Sequence, residues 1–320
     1  VLRCAEQPFF SFDDWFIGST KVPRGVTTET RRLTKKFNYN DIESLEKKIV
    51  KFKNRIACVI LEPASTECPK IYKNSSDCCK KAVCDRNFKK ENHFLKQVEK
   101  LCNKNNIVFI LDEMITGFRW HLKGAQHFYG VKPDISTFGK AMANGFSVSA
   151  ICGKKKIMEL GSITNLKEER VFLLSTTHGA EMNGLSAFTE TVKFLKEKKV
   201  IKYNWNYGAK LIKESNKISK KLGVNDYFNF SGIACSPYFT CLDKNKKNSL
   251  EFRTLFIQEM LKYNILMPWV SISYRHNNKT LKKTLFALER SLTIYKKALK
   301  YGVKKYLKSH IIKPVFRRFN

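Results

Sequence analysis

Short apolar runs alternate with longer amphipathic segments along the first part of the chain. Residues 56–61 and 107–111 are rich in Val, Ile, Leu and Phe, a composition typical of strands buried on both faces of a sheet. Residues 40–52 and 88–105 instead carry apolar side chains at helical spacing, which predicts helices. Buried strands that alternate with helices predict an α/β fold.

The same kind of pattern continues in the middle of the chain. It predicts a strand at 148–152, a short helix at 154–160 and a strand at 171–176. The long segment 181–222 is predicted to be helical, with a break near 204–207.

The last third of the chain is predicted to form a smaller unit that mixes strands and helices. A long helix at 181–200 is expected to link it to the N-terminal part. The predicted elements are strands near 227–242 and 265–273 and helices near 249–263 and 279–306.

Two kinds of polar side chain follow the predicted strands in the middle of the chain. The run 107–111 ends in Asp112 and Glu113, and Lys140 stands twenty-eight residues after Asp112, where a second strand should end. Strand ends of this kind converge on one ligand in the crevice beyond an α/β sheet. A lysine amine forms an imine with the aldehyde of pyridoxal 5′-phosphate (PLP), and a carboxylate keeps its pyridine nitrogen protonated. Taken singly, each residue also fits a buried acid or a lysine on a solvated loop.

The whole stretch 107–145 resembles the class III aminotransferases of PLP fold type I. The shared order is an apolar strand, Asp-Glu, a Thr-Gly-Phe-Arg turn, Pro-Asp, and Gly-Lys followed by small residues and Asn-Gly. In this chain the matching residues are Asp112, Glu113, Thr116–Arg119, Pro133, Asp134, Gly139, Lys140, Asn144 and Gly145. The resemblance implies that Lys140 is the Schiff-base lysine and that Asp112 is the partner of the pyridinium nitrogen.

The same resemblance implies the architecture. We expect a PLP-dependent transferase of fold type I, with a mainly parallel sheet flanked by helices in a large domain at 1–200. A smaller α+β domain is expected at 201–320. The chain begins at Val1 inside an apolar run, and nothing in it matches the upstream loop that binds the cofactor phosphate in this family. We therefore expect a fragment that lacks the N-terminal part of its large domain.

Further site residues follow from the family pattern. Glu62 belongs to a Glu-Pro pair that ends the strand at 56–61 and is expected to lie at the cofactor. Glu67 has the spacing of a glutamate that, in many members, pairs with an arginine for the substrate carboxylate. Arg275 is the candidate for that arginine, because a planar guanidinium binds a carboxylate through two hydrogen bonds. Glu67 and Arg275 also fit ordinary surface residues.

The resemblance also implies contacts to the ring and the phosphate of the cofactor. Phe9 stands where the family has an aromatic residue that stacks on the PLP ring, and Phe10 is the alternative. Thr176, or else Thr177, aligns with a threonine that reaches the cofactor phosphate of the neighbouring subunit. Such a contact implies a homodimer. Either threonine also fits a helix N-cap.

Composition narrows the range of partners and compartments. Lys and Arg number 60 against 28 Asp and Glu, a formal charge of +32. Because the lysines are spread along the chain and no recognition motif accompanies them, we do not expect a nucleic-acid partner. The chain has no run of about 18 apolar residues, so no membrane contact is expected.

Ten cysteines raise the question of metal binding. Cys58 and Cys152 lie in strand-like runs and are predicted to be buried. A polar insertion carries the other notable group, Cys68, Cys78, Cys79 and Cys84. Zinc is conceivable there, but without a paired Cys-x-x-Cys spacing we expect no metal and interpret the cysteines as reduced thiols of a cytoplasmic protein.

The implied reaction is the transfer of an amino group from an amino acid donor, such as glutamate, to a carbonyl acceptor. Cell-surface sugar or small-metabolite biosynthesis is the expected setting. Two alternatives stay open: glutamate-1-semialdehyde 2,1-aminomutase of tetrapyrrole biosynthesis, and a truncated homologue without catalytic activity.

Overall fold

Among the described residues, six strands form one sheet in the N-terminal part of the protein. The computed structural model describes residues 1–7, 11–64, 67–72, 88–163, 169, 171, 177 and 179–319. The strands are β1 (Leu2–Cys4), β2 (Lys35–Phe37), β3 (Cys58–Leu61), β4 (Val108–Asp112), β5 (Ile135–Phe138) and β6 (Ala150–Gly153). Their order is β2-β1-β3-β4-β5-β6, and all neighbours are parallel except β5 and β6, which are antiparallel. The predicted α/β fold with a mainly parallel sheet is confirmed.

Helices lie between and after these strands. They are α1 (Asp14–Ile17), α2 (Thr28–Arg32), α3 (Ile42–Lys51), α4 (Phe94–Lys104), α5 (Gly124–Tyr129), α6 (Lys155–Met158) and α7 (Met182–Glu197). The C-terminal part contains α8 (Val200–Lys221), the hairpin β7 (Phe228–Ile233) and β8 (Ser236–Cys241), α9 (Leu250–Leu261) and α10 (Asn278–Tyr301). Of the helices in the described ranges, none has both the length and the apolar character that a membrane crossing requires.

Burial explains why the apolar runs of the first part fold as strands and helices. Val59 and Leu61 of β3 and Phe109 of β4 are almost completely buried. The flanking helices α3 and α4 contribute Leu45 and Phe94 to the same core. The strands and helices predicted for this part of the chain are therefore confirmed as elements.

A second core forms between α8, the hairpin, α9 and α10. Its central side chains include Phe228, Phe256 and Tyr295. Ile233 and Cys235 of the hairpin nevertheless pack into the core of the large sheet. The division of the chain into domains at 1–200 and 201–320 stays a prediction.

The predicted break near 204–207 is wrong. The break lies between α7 and α8, where Lys199 adopts a left-handed backbone with φ +49°. Helix α8 then continues through Trp205, whose Nε1 donates to the carbonyl oxygen of Trp120 at 3.3 Å and whose ring packs on Phe128. Tertiary contacts of this kind override the modest helix propensity of Asn and Trp.

The strand predicted at 265–273 is also wrong, since the structure has an irregular segment there. Pro268 has no N–H to donate to a neighbouring strand. The side chains of Leu266 and Trp269 are exposed, whereas those of Met267 and Ile272 are buried, and no described strand pairs with the segment. Of the strand predicted at 171–176, all but Val171 lies outside the described residues.

A buried histidine links the start of α4 to the end of α5. His93 has no exposed surface, and its Nε2 lies 2.9 Å from the carbonyl oxygen of Tyr129. Burial lowers the pKa of His93 from 6.5 to about 4. As the pH falls from 6.5 to 4, His93 therefore takes up a proton in the unfolded chain but not in the native protein, and the folded state loses stability.

We expect this histidine to lower the free energy of unfolding by about 3 kcal/mol between pH 6.5 and pH 4, because each pKa unit contributes about 1.4 kcal/mol. A His93→Gln variant retains an N–H donor for Tyr129 but does not titrate there. Urea unfolding of both proteins at the two pH values measures the difference. A variant whose stability falls as steeply as that of the wild type would contradict the assignment.

Candidate active site

Asp112 is the last residue of β4 and stands opposite Thr137 of β5. Its carboxylate is buried, with 6% of the residue exposed. Oδ1 accepts hydrogen bonds from the backbone N–H of Met114 at 2.9 Å and from the hydroxyl of Thr137 at 3.2 Å. Burial raises the pKa of Asp112, while these hydrogen bonds and the positive charge of Lys140 act in the opposite direction.

Lys140 stands two residues after the end of β5, in a short 3-10 turn at Lys140–Met142. Its backbone has φ +45°, a left-handed conformation that is uncommon for a residue with a side chain. The preceding Gly139 leaves room for Met114, because a Cβ there would lie 2.4 Å from the Met114 Cε. The structure thus places Lys140 at the same sheet edge as Asp112, close enough for its charge to act on that carboxylate.

Glu113, the second acid of the pair, is buried and accepts hydrogen bonds from neighbouring protein groups. It has no exposed surface, and Oε2 accepts from the Thr116 hydroxyl and the Ala125 N–H, both at 2.7 Å. Oε1 accepts from the Gln126 N–H at 2.7 Å. Gly124 allows this approach, since a Cβ there would lie 2.5 Å from Oε1. Glu113 therefore ties β4 to the first turn of α5.

The acid of the Pro-Asp pair joins three strands. The Oδ2 atom of Asp134 accepts from the N–H of Phe109 at 2.7 Å. Its Oδ1 forms a 2.6 Å ion pair with Lys154, directly after β6. The Asp134 side chain therefore adds a contact to β4 and one to the residue after β6, beside the backbone pairing of these strands with β5.

Glu62 and Glu67 lie at different depths. Glu62 is buried at the end of β3, and its backbone exchanges two hydrogen bonds with the Gln7 side chain, at 2.9 and 2.8 Å. Glu67 is exposed and accepts a 3.4 Å hydrogen bond from Asn40. In the described part of the chain no ion pair joins Glu67 to Arg275. Their proposed pairing stays a prediction.

A cavity of about 590 Å³ lies beside the Lys140 turn. It is lined by Phe118 and Arg119 of the Thr-Gly-Phe-Arg turn, by Ala141 and Asn144 after the lysine, and by Arg275. The structure therefore brings Arg275 to the same cavity as the residues that follow Lys140.

Six of the residues singled out in the sequence lie outside the part of the chain that the structure describes: Phe9, Phe10, Thr176, Cys78, Cys79 and Cys84. Thr177 is an exposed turn residue. Cys68 is buried.

One cysteine prediction is corrected by the structure. Cys58 on β3 is largely shielded, and burial raises the pKa of its thiol. Cys152, predicted to be buried, is exposed. The reason is its position on β6, the last strand of the sheet order, where β5 is the neighbouring strand.

Comparison with known proteins matches this geometry to a family. The sequence model of the class III aminotransferases matches residues 87–232, which include Asp112 and Lys140. The 3-aminobutyryl-CoA aminotransferase of Cloacimonas acidaminovorans (strain Evry) is 29% identical over 306 residues, covering 93% of this chain and 66% of that protein. The glutamate-1-semialdehyde 2,1-aminomutase of Nitrosopumilus maritimus (strain SCM1) is 32% identical over 286 residues, covering 85% of this chain and 61% of that protein.

A solved structure has the same fold. The PLP internal aldimine form of the FumI protein of Sphingopyxis sp. MTA144 superposes with a TM-score of 0.73 at 19% identity, covering 94% of this chain and 66% of that one. The chain spans between 61% and 66% of the length of the two curated relatives above. Sequence and fold agree: residues 87–232 match the class III aminotransferase model, and most of the chain is similar to an aminotransferase and to an aminomutase.

Proposed function

We propose that the whole protein is a PLP-dependent aminotransferase that moves an amino group from an amino acid donor to a carbonyl acceptor. The observation that carries this proposal is the placement of Asp112 and Lys140 at the ends of neighbouring strands, with the lysine charge acting on the buried carboxylate. The match of residues 87–232 to the class III aminotransferase model supports the same reaction.

The residues present suit PLP. Asp112 would hold the pyridine nitrogen, because a buried carboxylate gains stability from a cationic partner. Its Oδ1 is already fixed by Met114 and Thr137. Lys140 would hold the aldehyde. When bound, PLP withdraws electrons from the substrate carbon, so that a proton leaves that carbon more readily.

The chain's own groups would then supply the acid–base chemistry. The Lys140 amine would take a proton from the substrate carbon and return it elsewhere, as general base and then general acid. Glu62 and Phe9, or Phe10 in its place, would contact the cofactor. Arg275 would bind the carboxylate of the donor, with Glu67 covering the guanidinium when the second substrate carries no carboxylate.

Two further proposals concern assembly and compartment. If Thr176, or else Thr177, serves the phosphate of the neighbouring subunit, the active form is a homodimer. The proposed compartment is the cytoplasm, where thiols stay reduced. The buried free cysteines Cys4, Cys102 and Cys235, whose thiol pKa values are raised by burial, are consistent with that compartment.

Glutamate-1-semialdehyde 2,1-aminomutase is the second candidate, because the Nitrosopumilus maritimus protein of that name is 32% identical. An aminomutase acts on one carbon skeleton and does not need a switchable carboxylate clamp. A transaminase that accepts two different substrates does need one. The Glu67 and Arg275 pattern therefore favours transamination.

The deciding experiment gives the full-length protein glutamate-1-semialdehyde alone and, separately, glutamate with carbonyl acceptors. We expect transfer from glutamate to an acceptor. Arg275→Ala should weaken glutamate binding by about 2 kcal/mol, the scale of a lost charged hydrogen bond. The half-reaction with a simple alkylamine should persist. Arg290→Ala, which removes an exposed arginine of α10, is the matched control.

Conversion of the semialdehyde to 5-aminolevulinate without any transfer from glutamate would replace this proposal with the aminomutase. Full-length protein that neither binds PLP nor transfers an amino group would favour the non-catalytic homologue.

A further inference from the structure

Arg119 connects the candidate active site to the C-terminal part of the protein. Its Nη1 donates to the carbonyl oxygen of Cys235 and to that of Ile272, each at 3.2 Å. Burial lowers the pKa of the guanidinium, and within the described residues its hydrogen-bond acceptors are these two backbone carbonyls. A forked guanidinium suits this contact because its NH₂ group can direct one hydrogen to each carbonyl.

On one side, Arg119 is anchored to the strand that ends in Asp112. The N–H of Gly117 donates to the carbonyl oxygen of Glu113 at 2.8 Å. The backbone N–H of Arg119 itself donates to the carbonyl oxygen of Thr116 at 3.2 Å. The guanidinium therefore projects from a turn that the end of β4 holds in place.

On the other side, the two carbonyls belong to separate segments. Cys235 lies in the turn between β7 and β8. Ile272 lies in the irregular segment before α10, three residues ahead of Arg275. Arg119 and Arg275 both line the cavity beside the Lys140 turn. The Arg119 side chain thus forms a hydrogen bond to the segment that carries Arg275, the candidate arginine for the substrate carboxylate.

Helix α8 adds contacts from uncharged groups to the same junction, by which we mean the contact of the turn at 116–119 with the C-terminal segments around residues 235 and 272. Trp205 Nε1 donates to the carbonyl oxygen of Trp120, the residue after Arg119. The Tyr203 hydroxyl donates to the carbonyl oxygen of His276. Gly208 lies so close to the hairpin turn that a Cβ would lie 1.7 Å from the carbonyl oxygen of Ala234. The junction is therefore closely packed, and Arg119 supplies its charged hydrogen bonds.

We propose that Arg119 is a positioning residue that fixes the segment 271–277, and with it Arg275, relative to the Lys140 turn. It would thereby set how well the donor carboxylate is bound without touching the donor's reacting atoms. The kinetic part of this inference rests on the proposed aminotransferase function. The structural part does not.

The test compares Arg119→Met and Arg119→Lys with Arg253→Met in the full-length protein. Arg253 is a matched control because its guanidinium also donates to two backbone carbonyl oxygens, that of Phe239 at 3.5 Å and that of Pro268 at 2.6 Å. Its acceptors, however, both lie in the C-terminal part of the protein and include none of residues 271–277. Two readouts are measured, the KM for L-glutamate against that for propylamine, and hydrogen exchange of the 271–277 amides.

For Arg119→Met we expect the KM for glutamate to rise about tenfold, the KM for propylamine to stay within about twofold, and exchange at 271–277 to quicken about tenfold. Arg119→Lys should recover part of both effects, because it retains a charged donor. Arg253→Met should leave both readouts near their wild-type values.

Wild-type exchange at 271–277 in both Arg119 variants would overturn the proposal, as would an equal rise in glutamate KM for Arg253→Met. Full-length protein without PLP binding or transamination would refute the proposed function, whereas the exchange measurement would still decide whether Arg119 positions the segment.

Discussion

Replacing Lys140 with alanine in the full-length protein is expected to abolish amino transfer while the fold persists. The variant loses the amine that would hold the cofactor and carry the proton, and loss of such a group typically slows turnover by about 10³-fold or more. The side chain is exposed, so its removal leaves no cavity. The left-handed backbone at this position is no less accessible to alanine than to lysine.

Three measurements check this expectation. The wild type should show a visible absorption band with PLP, and borohydride should fix the cofactor on Lys140, as peptide mapping would detect. Lys140→Ala should lack the band. Lys132→Ala, which removes an exposed lysine eight residues upstream, should retain both the band and the activity. A Lys140→Ala protein with wild-type turnover, or a borohydride-fixed label on another lysine, would contradict the assignment of Lys140 as the lysine that holds PLP.

Replacing Glu113 with glutamine is expected to lower the free energy of unfolding by about 4 kcal/mol, although the change is almost isosteric. The buried carboxylate accepts from Thr116, Ala125 and Gln126. A glutamine has one acceptor oxygen, and its NH₂ group would face at least one of these donors. A buried donor without an acceptor costs about 1–3 kcal/mol, and the charged hydrogen bonds are lost as well.

Asp112→Asn, one residue away at the end of β4, is the matched control for that experiment. The asparagine oxygen can keep both hydrogen bonds that Oδ1 now accepts, from Met114 and from Thr137. Its stability should therefore stay within about 1 kcal/mol of the wild type, while amino transfer drops sharply. Urea unfolding measures both variants. Equal stability losses would show that the two acids do not have the separate roles inferred here.

Local pattern was sufficient to predict much of the fold. Apolar runs that end in polar residues gave the strands around Asp112 and Lys140, and the convergence of parallel strand ends placed the two side chains at one edge. The role of Glu113 was not predictable in this way, because two of its three donors belong to a helix that starts eleven residues later. A buried acid followed by Thr116 and Gly124 was the available signal, since only a residue without a Cβ allows the carboxylate to approach so closely.

Contacts between distant parts of the chain account for the remaining differences. The helix break at Lys199 depends on how α7 and α8 pack, and Pro268 interrupts a segment that looks strand-like from its apolar content alone. The acceptors of Arg119 lie 116 and 153 residues away in sequence. Its neighbours in sequence give no sign of them, so the joining role of the Thr-Gly-Phe-Arg turn emerges only from the folded structure.

The strand order β2-β1-β3-β4-β5-β6 has a consequence for how the protein is made. From β3 to β6, each strand pairs with one released earlier, so the sheet can grow at one edge in the order in which the ribosome delivers it. Arg119 emerges during that growth, long before Cys235 and Ile272. Its guanidinium can reach these two carbonyls only after both segments have been synthesised. We therefore expect sheet assembly to precede closure of the junction, and Arg119 variants to slow the final docking step rather than the formation of the sheet.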